Sequence, residues 1–287
     1  MIITKDSIDY IKNGIYKYFI INNVINYNYE NFNSIIIFNI NNKIEDQTNY
    51  YLILAFPFSN AVFHWIAECC VYFDLYHKLK LQYPLLKIVF LIKKNYHKII
   101  CEYFNINDND IVYSINENNT CIFPLPISML NDPTICDDYK LYSNILLNKL
   151  NNLNFEKKKD LLILPRQIKD NHHTRINNCS DILNNIQKKI ILNTDDITDF
   201  SEQIKYIKES NTIIVSDGSA FLLNGIIARN SKIIVLGDIV ISQSNDYLKI
   251  KYYYDIISSI NNVIFIPYLH GNYDNNNFLY DDINRYL

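Results

Sequence analysis

IIVSDGSAFLLNGIIARNSKIIVLGD, residues 213–238, decides the fold. It reads as a strand over 212–216, a helix over 219–229 and a strand over 232–236, the alternation that builds a parallel sheet. Upstream the pattern repeats: a strand over 161–164 ending in Pro165-Arg166, a polar loop to Arg175, a helix over 180–188, a strand over 189–192 and a helix over 200–209. Successive βα units bring basic side chains and helix N-termini to one sheet edge, where phosphates bind.

Several side chains on that edge suit anion chemistry. Guanidinium groups match phosphate oxygens bidentately and stay charged at any working pH, which points to Arg166 and Arg175. Spacing alone supports a surface loop with salt bridges equally well. Gly218 allows close backbone approach, Ser219 can cap, and the helix behind them offers unsatisfied N–H groups. Alone, this turn is weak evidence, since it matches neither GxGxxG nor a Walker loop. Asp217 would repel a phosphate and suits a helix cap or a ribose hydroxyl instead. Asp199-Phe200-Ser201-Glu202 has capping-box form, so Glu202 reads as structural. Gln203 is left to face a cleft or solvent.

The first 50 residues yield one strand, Ser34–Ile40, among Asn/Tyr-rich segments that read as loops or short strands. YLILAF, residues 51–56, is a buried strand stopped by Pro57, with Asn60 as N-cap of a helix over 61–81. His64 and Glu68 stand one turn apart on that helix. A histidine titrating near neutrality with a carboxylate beside it makes a general base; a surface or buried structural pair is the commoner meaning of such spacing. Phe63 and Trp65 suit a sugar-stacking or a packing wall. A strand over 87–92, a helix over 95–104 and a strand over 110–115 follow. Residues 116–134 then read as a strand and an irregular connector carrying Pro124, Pro126 and Pro133. A helix over 137–150 leads into the second half, which closes with a helix over 247–260 and a strand over 263–266. The expected division is 1–135 and 136–287, with a C-terminal tail free to pack back on the first domain.

Composition narrows the classes. Half the chain is hydrophobic, 49%, enough for a large core. A net charge of −3 gives no overall basic field to recruit nucleic acid or an anionic membrane. Abundant Ile, Asn, Lys and Tyr suggest an AT-rich genome, such as that of a giant virus. Against that background the five glycines and the arginines Arg166, Arg175, Arg229 and Arg285 stand out. Six cysteines lack metal spacing and read as buried reduced thiols. With no signal peptide and no apolar run long enough to span a bilayer, the expected location is the cytoplasm. Asp108-Asn109-Asp110, Asp195-Asp196 and Asp281-Asp282 give no convincing metal set.

Three segments, in order, resemble the DUF563 family of glycosyltransferases, family 61. NAVFHWIAE is similar to the N-x-x-x-H-W-x-x-D/E signature through Asn60, His64, Trp65 and Glu68. PRQIKDNHHTRINN is similar to the R…R-x-x-N segment through Arg166, Arg175 and Asn178. SEQIKYIKESNTIIVSDGSAFLLN is similar to the third block through Gln203, Gly218, Ser219 and Asn224. Cys179, Asp217 and the register of Asn224 depart from the pattern. The resemblance implies an α/β fold of GT-B type, two Rossmann-like doubly wound domains facing a cleft. It also implies transfer from a nucleotide-diphosphate sugar, with a UDP-sugar the first expectation, to a hydroxyl-bearing acceptor. The reaction would invert configuration and require no metal or other cofactor. His64 and Glu68 would be catalytic, with Asn60 and Trp65 on the acceptor side. Arg166, Arg175, Asn178, Gln203, Asp217, Gly218, Ser219 and Asn224 would hold the donor. An inactive sugar-nucleotide- or glycan-binding scaffold derived from such an enzyme is the alternative.

Overall fold

The computed structural model describes residues 2–3, 11–13, 16–30, 35–40, 49–54, 65–66, 69–90, 93–115, 119–124, 144, 147–150, 155–164, 184–187, 189–191, 199–216, 218–237, 248–266 and 280–287. Structural statements below refer to these. The chain divides into two compact units, Met1–Leu146 and Leu147–Leu287, whereas the sequence reading put the division after residue 135.

The first unit holds an eight-stranded mixed sheet. Its strands are β1 (Ile2–Ile3), β2 (Ile11–Asn13), β3 (Tyr16–Glu30), β4 (Ile35–Ile40), β5 (Tyr50–Ile53), β6 (Lys87–Val89), β7 (Ile111–Val112) and β8 (Asn119–Pro124). The spatial order is β1-β4-β3-β8-β5-β6-β7, with β2 on β3. From β8 to β7 all pairs are parallel, and from β8 to β1 all are antiparallel. Only half of this sheet is therefore the expected parallel array. The antiparallel half comes mostly from the first 40 residues, where the sequence pointed to one strand among loops or short strands. Tyr, Phe, Ile and Val on β3 favour a pleated, half-buried surface, and Tyr16, Tyr18, Phe19, Ile21 and Val24 are buried although asparagines interrupt the run. Phe19 stacks on Phe123 of β8 at 5.2 Å, joining the two halves in one core with Tyr51, Ile53, Val89 and Cys121.

Helices α1 (Phe73–Gln82) and α2 (Asn95–Tyr103) follow β5 and β6 in the chain. The helix expected over 61–81 is not uniform: Trp65 and Ile66 are helical, and Cys70–Tyr72 tightens to a 3-10 turn before α1. Cys69, Cys70, Cys101 and Cys121 are buried thiols, as the sequence implied, and burial pushes the Cys121 thiol up to about 12.

The second unit holds a five-stranded sheet with every pair parallel. Its strands are β9 (Lys159–Leu164), β10 (Ile190–Ile191), β11 (Ser210–Ser216), β12 (Lys232–Leu236) and β13 (Asn262–Ile266), in the order β10-β9-β11-β12-β13. A parallel sheet covered on both faces needs continuous apolar strands. Accordingly Ile213, Ile214 and Val215 on β11, and Ile233 to Leu236 on β12, are all buried. The helices are α3 (Phe200–Lys208), α4 (Ser219–Ile227), α5 (Leu248–Ile260) and α6 (Tyr280–Asn284). Asp199 caps α3 by accepting a hydrogen bond from the Ser201 amide at 2.8 Å. Where a helix was expected over 180–188, helical turns reach Asn185 and the buried Ile186 already lies outside them. Gly225 lets α5 approach α4: a Cβ there would stand 2.9 Å from Ile257 Cδ1.

Candidate active site

Strand order locates the chemically interesting edges. In an open parallel sheet, ligands bind beyond the carboxyl ends of the strands where the order reverses. In the second unit the first strand, β9, has β10 on one side and β11 on the other, so the reversal falls between β9 and β11. Val215 pairs with Leu164, so the two strands end side by side. From there the chain enters Pro165-Arg166 after one strand and Asp217-Gly218 after the other. In the parallel half of the first unit, β5 is flanked by β6 and β8, and the reversal falls between β5 and β8. Past β5 the chain runs into the segment carrying Asn60, His64 and Glu68.

The turn after β11 is well defined. Gly218 has φ 80° and ψ −142°, a backbone conformation open almost only to glycine. It is the N-cap of α4 and, as a glycine, brings no side chain to that position; Ser219 is the first helical residue. A helix N-terminus presents N–H groups and the positive end of the helix dipole to an anion. Next to the turn, at the end of β11, the Ser216 hydroxyl is fully buried without a hydrogen-bond partner. The sequence analysis did not name Ser216; its signal is a polar residue closing an apolar strand just before a glycine turn.

Gln203 and Asn224 are brought together. Gln203 Nε2 donates to Asn224 Oδ1 at 2.9 Å, and Asn224 Nδ2 donates to the Ala220 carbonyl at 2.7 Å. Both residues are buried, so Gln203 does not face solvent as the capping pattern had left open. Glu202 is exposed, and Gln203, one residue on, falls on the buried face of α3 with Ile204 and Ile207. The pair ties α3 to α4, and through the Ala220 carbonyl to the first turn of that helix.

Trp65 is fully buried. Of the two roles its sequence neighbourhood suggested, packing is the one its contacts fill. Its ring stacks on His97 at 4.5 Å and meets Phe90, Phe73 and Tyr96 edge-on at 5.1 to 5.9 Å. The turn continuing from it is fastened twice: the Cys69 amide donates to the Trp65 carbonyl at 2.7 Å, and Cys69 Sγ donates to the Leu54 carbonyl at the end of β5. His97 is buried in the first turn of α2, and burial, then Lys94, lowers its pKa from 6.5 to about 4. The ring is therefore neutral near pH 7. Nothing in the sequence distinguished His97 from any other helix residue.

The acidic triplet Asp108-Asn109-Asp110 is engaged structurally. Asp110 accepts hydrogen bonds from Tyr76 Oη at 2.7 Å and Lys80 Nζ at 2.9 Å, and Asp108 pairs with Lys98 at 3.3 Å. Among the described residues, no group of three or more His, Cys, Asp or Glu side chains could hold a metal ion. Nor is any described helix long and apolar enough to cross a membrane. Asn60, His64, Glu68, Arg166, Arg175, Asn178 and Asp217 lie outside the described residues.

A family model described as Glycosyltransferase 61 matches residues 62–235. That match covers more than half of the chain and takes in His64 and Glu68 at one end and Val235 of β12 at the other. No curated protein matches the chain.

Proposed function

The chain belongs to glycosyltransferase family 61, and from that premise we propose that it moves a sugar from a nucleotide-diphosphate donor to an acceptor hydroxyl with inversion. The family membership makes it a glycosyltransferase with a donor and an acceptor substrate. The identity of the donor, the stereochemistry and independence of metal are the proposal, as is the GT-B architecture that the resemblance implies.

One observation supports the donor half: the N-terminus of α4, with Gly218 as its N-cap at φ 80°, follows β11 where the strand order reverses between β9 and β11. Negative charge grows on the departing nucleoside diphosphate in the transition state, and preorganised donors aimed at that charge lower the barrier. The α4 amides provide such donors, with Arg166 and Arg175 supplying the full positive charges that a metal ion would otherwise bring. Asp217 and Asn178 suit hydroxyl or base contacts on the nucleoside, and a UDP-sugar is the first donor to try. With both atoms of its amide engaged inside the protein, Asn224 acts with Gln203 by holding the first turn of α4 in place.

For the acceptor half, His64 takes the proton of the attacking hydroxyl while Glu68 orients its ring and raises its basicity. Trp65, Ile66, Cys69 and Cys70 are all buried. The acceptor oxygen forms its bond to the anomeric carbon as the bond to the diphosphate oxygen breaks. One displacement inverts the centre and requires no covalent enzyme intermediate.

The test is transfer from a panel of UDP-, GDP-, CMP- and dTDP-sugars, followed by NMR, with and without EDTA. Transfer that survives EDTA with inverted product supports the proposal; a retained anomer or loss of turnover with the chelator sinks the corresponding part. His64→Ala with undiminished transfer removes the base assignment. Arg166→Ala with unchanged donor affinity removes the phosphate role, and binding without any turnover favours the scaffold reading.

A further inference from the structure

We propose that His97 is a positioning residue for the transfer reaction, a flat ring lying nearly parallel to Trp65 and to Tyr113 that fixes the turn next to His64. The inference rests on the reading of His64 as the base.

Three segments meet in this stack. Tyr113 follows β7, His97 lies in the first turn of α2, and Trp65 is helical with Ile66 in the segment after β5. The His97 ring is nearly parallel to both neighbours, 18° and 4.5 Å from Trp65 and 14° and 5.9 Å from Tyr113. Phe90 and Tyr96 close the sides, each with its ring centroid 4.8 Å from that of His97. Tyr113 Oη is 3.5 Å from Nδ1, at the limit of a hydrogen bond.

Trp65 has no polar anchor, because its Nε1 is buried without a partner. Its orientation is therefore set by ring contacts, and among the described rings against it His97 is the nearest and lies parallel. His97 Nε2 is likewise without a partner, so apart from the long Tyr113 contact to Nδ1 the stack is held by shape and ring contact. His64 is joined directly to Trp65 through one peptide bond, while Cys69 fastens the far end of the turn to Leu54. Removing the His97 ring frees Trp65 to turn, and displacement of the adjoining base by about 1 Å costs on the order of 100-fold in rate.

The experiment compares wild type with His97→Ala, His97→Leu, His97→Phe and His64→Ala, using the UDP-, GDP-, CMP- and dTDP-sugar panel. The sequence contains a single tryptophan, so fluorescence anisotropy reads the ordering of Trp65 in each folded variant. Expected for His97→Ala is faster local motion of Trp65, a kcat lower by about 100-fold with donor KM unchanged, and a shifted limb of the kcat–pH profile. His97→Phe restores the flat ring and returns kcat and Trp65 ordering to near wild type. If the alanine variant does not fold, His97→Leu, which fills the volume without a flat face, is expected to show the same loss. Wild-type kcat and pH profile in folded His97→Ala or His97→Leu overturn the proposal, as does a phenylalanine variant no better than alanine. Full activity in His64→Ala instead refutes the base reading on which the inference stands, and the two failures are read from different variants.

Discussion

The hydrogen bond between Gln203 and Asn224 gives a prediction whose size follows from burial. Gln203 is 7% exposed and Asn224 3%, and the Nε2–Oδ1 distance of 2.9 Å is that of a well-formed bond. Gln203→Met keeps the length of the side chain but leaves Asn224 Oδ1 buried without a donor. Stranding such a group costs about 1–3 kcal/mol. Asn224→Leu strands Gln203 Nε2 in the same way and costs a similar amount. The double variant strands neither, so it loses less than the two singles added together, by about 1–2 kcal/mol of coupling. Urea unfolding followed by far-UV circular dichroism measures all four proteins. Fluorescence of Trp65, which belongs to the first unit, serves as a control that the perturbation stays in the second. Strict additivity would show that the two amides do not meet, and the account of how α4 is held would fall with it. The same cycle in donor affinity separates holding from touching. A positioning pair loses affinity in each single variant and recovers part of it in the double.

Gly218→Ala forces a Cβ into a backbone conformation that is essentially glycine's alone; it should cost about 1–3 kcal/mol in a denaturant titration and weaken donor binding together with stability. At Gly225 an added methyl meets Ile257 Cδ1 and Cγ2 at 2.9 Å, so Gly225→Ala should destabilise by about 1–3 kcal/mol, and Ile257→Val should recover part of that loss. His97 gives a pH dependence. Its folded pKa of about 4 lies below the ordinary 6.5, so the unfolded chain binds the extra proton first as pH falls. The stability it contributes is complete above pH 6.5 and lost between there and pH 4, up to about 3 kcal/mol. A thermal melt across that window should slope less in His97→Phe.

The parallel unit was legible because its strands are buried on both faces and so are written as unbroken apolar runs, IIV and IIVL, bounded by a glycine turn and a capped helix. The antiparallel half of the other sheet was not. Its long strand mixes strong strand formers with asparagines, and pairing across the sheet rather than local propensity makes it a strand. Gln203 shows the same limit on a smaller scale. Its helix and cap were evident from Asp199 onward, but which way its side chain turns depends on a partner 21 residues later on another helix. His97 carried no sequence pattern at all, and Ser216 only that of a polar residue closing an apolar strand before a glycine turn. A stack joining residues 65, 97 and 113 exists only in three dimensions, and a hydroxyl is seen to be unpaired only once its neighbours are in place.

The central claim is that the α4 N-terminus receives the diphosphate of the donor. Titrating UDP, GDP and dTDP into the isotopically labelled protein and following the backbone amides tests it most directly. The account predicts that the largest shifts on saturation fall on the amides of Gly218, Ser219, Ala220 and Phe221, and that UDP produces them at the lowest concentration. Saturable nucleotide binding that leaves those four amides unmoved would contradict it.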